Sequence, residues 1–216
     1  MHKTKRFAIA AALAAALAGC AGVAPAPNYD ALLAEMMKAS FRDQGIAKVD
    51  RLQQDASNAE CSAAQGKALS EARTKAIEAA NLATVKMPSD GKFIGDWKEG
   101  EKLAQNGRGM TWSDPSAATS ANGGNCYNCH QVSKAEISFG TIGPSLYNYG
   151  KIRGVADPAS PQAKAIVEYT WGKLYNAKAY NACSGMPRFG HGGMLDEMQL
   201  KDIMALLLDP KSPVNQ

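Results

Sequence analysis

Histidine is scarce in this chain: His2, His130 and His191 are the whole supply in 216 residues. A closed structural zinc site needs four protein ligands, and the single Cys-x-x-Cys run has no second Cys/His pair to complete such a set. An excess of one charge is lacking too. There are 24 Lys and Arg against 20 Asp and Glu, and setting aside the N-terminal Lys3, Lys5 and Arg6 leaves 21 against 20, a net of +1. That balance offers no basic footprint for nucleic acid. The apolar run from Phe7 to Leu17 is too short to cross a bilayer as a mature helix. No long internal repeat is evident, and the length allows one modest domain plus an extension.

What is present is more specific. Cys126-Tyr127-Asn128-Cys129-His130 places two thiols at the spacing for thioether bonds to the vinyl groups of haem, with an adjacent imidazole for the iron. The rival readings of a Cys-x-x-Cys run are a zinc site, which the histidine count disfavours, and a redox-active dithiol. The reading adopted is one covalently attached haem c.

The first residues supply a context. Lys3, Lys5 and Arg6 form a positive segment before the apolar run, the pattern of an export signal. The run ends in Leu17-Ala18-Gly19-Cys20, which resembles a bacterial lipobox, where cleavage before the cysteine leaves Cys20 to be lipidated. Ordinary cleavage after Ala24-Pro25-Ala26 is the alternative, disfavoured by Pro27 just beyond the cut. Either route gives a periplasmic protein, and lipidation would anchor it to the membrane through Cys20. Residues 1–19 are thus read as a signal peptide and 20–27 as a linker.

Residues 28–90 are rich in Ala, Glu, Lys and Gln, with no proline between Pro27 and Pro88. They read as two or three helices, with Leu32, Met36 and Met37 on one face of the first. Ser70 to Ala76 opens another, with Ile77, Leu82 and Val85 available for packing and Ser89-Asp90-Gly91 closing it. This extension is read as a collar on the remainder, a partner-docking surface being the alternative.

From Gly91 onward three helices are signed. Trp97, Gly100, Leu103 and Ala104 line one side of the first, and Gly100 would permit a close crossing. Another starts at Ser160 with Pro161 as its first residue and runs through Ile166, Val167 and Thr170 toward Leu174. For the last, Asp196 is the N-cap with Gln199 reaching back, and Leu195 and Leu200 form a staple. Leu200, Ile203, Met204 and Leu207 repeat along one face until Pro210 stops it.

This pattern resembles the class I cytochromes c. The resemblance implies an all-α fold: a cytochrome domain over 91–216 with an N-terminal helical extension over 28–90. It implies His130 as one axial iron ligand and a thioether as the other. Met186, followed by Pro187 in a loop before the final helix, occupies the family's position; His191 and Cys183 are the alternatives, while Met198 and Met204 inside the final helix suit core packing. Thr141-Ile142-Gly143-Pro144-Ser145-Leu146 is similar to the family's Gly-Pro-x-Leu segment, where the proline carbonyl accepts the other N–H of the proximal imidazole. A simple turn proline is the other reading of Pro144.

Two cysteines remain, Cys61 and Cys183. In an oxidising compartment they are expected to pair, stapling the extension to the Met186 loop and stabilising by roughly 2 to 4 kcal/mol. A free Cys183 that binds iron or carries sulfur is the alternative.

Four stretches occurring together and in order narrow the resemblance: Phe93 to Glu101, Gly123 to Cys126, Ile142 to Leu146, and Met186-Pro187-Arg188-Phe189-Gly190. They look like the SoxX family, as does the closing run Leu207 to Val214. SoxX is the monohaem subunit of SoxAX, the periplasmic complex that begins thiosulfate oxidation. The resemblance implies a heterodimer with SoxA, turnover on the SoxYZ carrier protein, and a small cytochrome c as electron acceptor. It implies an electron-transfer subunit of an L-cysteine S-thiosulfotransferase, not catalytic alone, with no residue here given a catalytic role. A stand-alone electron carrier and a ligand-binding haem sensor or enzyme are the readings from other classes.

Overall fold

A computed structural model describes residues 26–216, so the signal segment, Cys20 and most of the linker lie outside the described residues. The chain divides into two compact units, 1–42 and 43–216. In the first, helix α1 spans Tyr29–Ser40; the Asn28 side chain accepts from the Ala31 amide at 3.1 Å, supplying one of the bonds that the first turn of a helix cannot make for itself. Leu32 and Met36 on its apolar side are exposed.

The second unit carries six further helices: α2 (Ala56–Ala63), α3 (Glu71–Leu82), α4 (Trp97–Gln105), α5 (Tyr149–Ile152), α6 (Lys164–Tyr175) and α7 (Glu197–Leu208). An isolated bridge between Gln44 and Ala47 is the one β pairing among the described residues, so the fold is all-α there. Four of these helices start where the sequence provides a side-chain cap. Asp55 accepts from Asn58, Ser70 from Arg73 and Asp96 from Lys98, while Asp196 and Gln199 form a reciprocal capping box. Before α6, Pro161–Ala163 make a single 3₁₀ turn and the α-helix proper begins at Lys164, because proline cannot supply a backbone donor but fixes a helical φ.

Helices α4 and α7 make the most extensive helix pair. They meet at Gly100, where a Cβ would stand 2.1 Å from the Asp202 carbonyl oxygen, so only hydrogen fits at the crossing. Helix α7 departs from the one-faced pattern expected of it. Every residue from Leu200 to Leu208 is buried, including Lys201 and Asp202, because α4, α5, α6 and the 213–215 turn all pack around it. Asn215 closes that arrangement by donating from Nδ2 to the carbonyls of Leu207 and Asp209, while its Oδ1 accepts from the Gly150 amide.

Two packing expectations fail. Leu82 ends α3 at 49% exposure, the inward positions being taken by Ile77 and Asn81. Met198 lies in the first turn of α7 on its outer side and is 62% exposed, whereas Met204 is fully buried.

Residues 43–90 belong to the larger unit and wrap onto it. The Trp171 indole packs edge-on to Phe93 at 5.6 Å and donates from Nε1 to the Lys86 carbonyl at 2.8 Å. Asn176 donates to the Asn81 side chain and to the Thr84 hydroxyl, and Ser89 donates twice to Glu197.

Candidate functional site

The Cys-x-x-Cys-His run is a single 3₁₀ turn, Cys126–Asn128, entered through Asn125 in the left-handed region at φ 49°. Its approach is tied to the end of α4: Gly124 donates to the Leu103 carbonyl and Asn125 to the Asn106 carbonyl. Gly123 passes so close that a Cβ would stand 1.9 Å from the Asn106 oxygen. The turn then closes on itself, with the amides of Cys129 and His130 both donating to the Cys126 carbonyl. Two adjacent thiols and the imidazole are thereby held on one short bend.

The loop that follows returns to the same bend. Gly140 donates to the Tyr127 carbonyl, Gly143 to that of Cys129, and Leu146 to that of Gln131. This return brings the Pro144 carbonyl oxygen within 2.7 Å of His130 Nδ1. A carbonyl can only accept, so Nδ1 carries the proton and the lone pair of the neutral ring sits on Nε2, directed away from the loop. Gly143 lies flat on the ring, where a Cβ would stand 2.1 Å from Cε1.

Cys126 and Cys129 are not bonded to one another, and each is half-exposed. The apolar surroundings of the Cys126 sulfur push its thiol up to about 12, with its thiolate further disfavoured by Cys129. A redox-active dithiol works through a thiolate of lowered pKa, so this setting does not suit that rival reading.

Met186 is half-buried and packs, as Cys126 does, against the one main core, which includes Tyr127, Leu195 and Leu200. It sits in the loop between Ala182 and Gly190, its amide donating to the Ser184 hydroxyl at 3.2 Å. Cys61 on α2 and Cys183 in that loop form a disulfide, which removes Cys183 as a free iron or sulfur ligand. His191 donates its amide to the Tyr175 carbonyl, and partial burial together with the nearby Arg188 lowers its imidazole pKa.

The bend has the chemistry a covalently attached haem would need: two thiols stand beside an imidazole whose Nδ1 meets a carbonyl, and Met186 packs against the same core as Cys126. Ile137 and Ile142, in the segment that follows His130, are 93% and 88% exposed. Among the described residues no three His, Cys, Asp or Glu side chains cluster so as to hold a metal ion, whereas a closed zinc site needs four ligands.

Sequence reading named Gly143 and Arg188 as members of motifs but did not reach their contacts, the packing of Gly143 on the His130 ring and the pairing of Arg188 with Asp55. The first depends on a loop folding back onto a ring, the second on a contact across 133 residues. Lipidation of Cys20 concerns a residue outside the described ones.

No protein-family model matches the chain. It is 38% identical over 138 residues to an uncharacterised lipoprotein of Aquifex aeolicus (strain VF5), a match that takes in 62% of this chain. The chain spans 59% of that relative's length.

Proposed function

We propose that this protein is a monohaem c-type cytochrome of the SoxX type with a class I cytochrome c fold, acting as the electron-accepting subunit of a SoxAX complex. The observation that carries the haem reading is the 2.7 Å contact between His130 Nδ1 and the Pro144 carbonyl, which leaves the Nε2 lone pair as the ring's one free ligating position beside two free thiols.

In this reading Cys126 and Cys129 would hold the haem covalently through its vinyl groups, and His130 Nε2 and Met186 Sδ would ligate its iron. Bound there, the haem supplies a one-electron couple, and a His/Met pair favours its reduced state. The chain does the rest. Pro144 fixes the imidazole plane and raises its basicity, Gly143 gives the ring room, and the core that includes Trp171 and Met204 backs the Met186 side chain. The reaction served is the oxidative joining of thiosulfate to a cysteine of SoxYZ, which releases two electrons. A one-electron centre cannot take both at once, so the reading requires a second redox centre in SoxA and onward transfer to a small cytochrome c. The relative's description as a lipoprotein supports an envelope location with anchoring through Cys20. Among the described residues no helix is long and apolar enough to cross a membrane.

The test is purification from the native host grown on thiosulfate, with haem staining of everything that co-elutes. A stoichiometric second c-type cytochrome, and reduction that requires both thiosulfate and SoxYZ, are the expected results. A lone monohaem protein would leave a general electron carrier, and absence of haem stain would overturn the cytochrome reading itself.

A further inference from the structure

The loop that carries Met186 is fastened at two places, and both fasteners come from one short helix. Cys183, three residues before Met186, is bonded to Cys61 in the last turn of α2. Arg188, two residues after it, pairs with Asp55, the residue that caps the first turn of the same helix. Asp55 divides its carboxylate between these tasks: Oδ1 accepts from the Asn58 amide at 2.8 Å and Oδ2 faces the Arg188 guanidinium. The Arg188 side chain is 20% exposed and that of Asp55 40%, so the pair is shielded from solvent on the arginine side.

The two fasteners bracket Met186. Asp55 and Cys61 stand six residues apart at opposite ends of α2, about 9 Å along its axis, and they hold residues three before and two after Met186 to that one helix. Both ties act through side chains, so they limit how far the segment can move away from α2. The preceding residue is tied as well: the Ala182 carbonyl accepts from the buried Lys178 ammonium at 3.0 Å, and its amide donates to Glu78 on α3.

We infer that α2 is a two-point clamp on the Met186 loop and that Asp55, acting through Arg188, is a positioning residue for the Met186 thioether. The inference rests on Met186 being the second axial ligand. With both points fastened the thioether is presented in one place. With the disulfide opened by a dithiol reductant, which takes up the two electrons' worth of oxidation as its own disulfide and leaves two thiols here, the Asp55–Arg188 pair still ties the loop to α2. The half-exposed position of Cys61 and the exposed position of Cys183 put the bond within such a reductant's reach.

The experiment uses the full-length holoprotein and four variants. Asp55→Asn removes the charge opposite Arg188 while an asparagine oxygen still caps α2. Cys61→Ser with Cys183→Ser removes the bond, a triple variant removes both, and Met186→Ala is the reference. Hydrogen exchange of the amides of residues 183–190 reads the clamp directly, and the rate at which imidazole enters the ferric haem reads the ligand. Asp55→Asn and the cysteine pair are each expected to speed loop exchange about tenfold or more, with a larger effect in the triple variant. Imidazole entry should accelerate in the same order toward the Met186→Ala rate. Exchange unchanged in Asp55→Asn and in the cysteine pair would overturn the clamp. Imidazole entry and a ferric spectrum unchanged in Met186→Ala would instead overturn the ligand reading, and the two failures are separately visible.

Discussion

Gly143 lies against the face of the His130 imidazole, at a distance where a Cβ would come within 2.1 Å of Cε1. The same loop supplies the Pro144 carbonyl to Nδ1, so one bend both clears space for the ring and sets its tautomer. Replacing Gly143 with Ala must push either the ring or the loop aside. The expected result is a holoprotein that still stains for covalent haem, since Cys126 and Cys129 are untouched, but whose ferric spectrum reports a disturbed axial ligand. An unaltered spectrum would mean that the imidazole contact has no part in ligation.

Changing the thiols separates attachment from ligation. Cys126→Ala with Cys129→Ala is expected to abolish haem staining of the denatured protein. Met186→Ala should retain the stain while the reduction potential falls, because a thioether favours the reduced iron. Redox titration beside the stain distinguishes the two effects.

The crossing of α4 and α7 should be intolerant of any side chain at Gly100, where the Asp202 carbonyl leaves no room. Gly100→Ala is expected to destabilise by about 1–3 kcal/mol, the usual range for forced overpacking. Gly185, around which a Cβ would meet nothing within 4 Å, is the control, and Gly185→Ala should stay within about 0.5 kcal/mol of the parent. Denaturant midpoints with unchanged m-values would measure both.

The disulfide closes a long loop, with Cys61 and Cys183 separated by 122 residues. Removing it is expected to cost roughly 2–5 kcal/mol, chiefly by freeing the unfolded chain. Unfolding of the parent with and without reductant should reproduce that difference, and a parent indifferent to reductant would count against the bond.

Stability should also depend on acid through Lys201, whose side chain is 7% exposed and whose ammonium contacts Asp90 at 2.7 Å and Glu197 at 2.8 Å. Hydrogen bonds from Lys201 hold both carboxyls below their usual range, and the same bonds raise the ammonium. For the carboxylates, the unfolded chain protonates first, so their contribution is present above their unfolded values and is lost as pH falls through the folded ones. The lysine's contribution is present below its unfolded value and is lost as pH rises through its raised one. Lys201→Met should flatten the acid limb of the stability profile, measured as denaturant midpoints from neutral pH downward.

Much of the helical framework was legible because its signals are local. Asp196 and Gln199 cap α7 as their spacing predicts, Ser70 and Ile77 serve α3, and Gly100 marks a crossing. Local signals fail where burial is decided by several neighbours at once. The periodicity of α7 predicts one buried face, yet packing on all sides covers even Lys201 and Asp202; Leu82 and Met198, apolar and helical, face outward. Within the site, the thiols and imidazole of 126–130 are fixed by adjacent residues and could be named directly. The role of Gly143 could not, since it depends on a loop returning to a ring thirteen positions earlier.

By itself, then, the sequence determined the all-helical character, the starts of the helices that Ser70, Asp96 and Asp196 cap, and the five-residue run on which any haem chemistry here would rest, because caps, periodicity and a short motif act over a few residues. Tertiary structure alone decided that Gly143 packs on the His130 ring and that Asp55 faces Arg188 across 133 residues, and it brought together the Cys61–Cys183 pair and the His130–Pro144 contact that the sequence led one to expect. Those outcomes follow from how separate segments close-pack around one core, a property of the whole chain that no short window of residues contains.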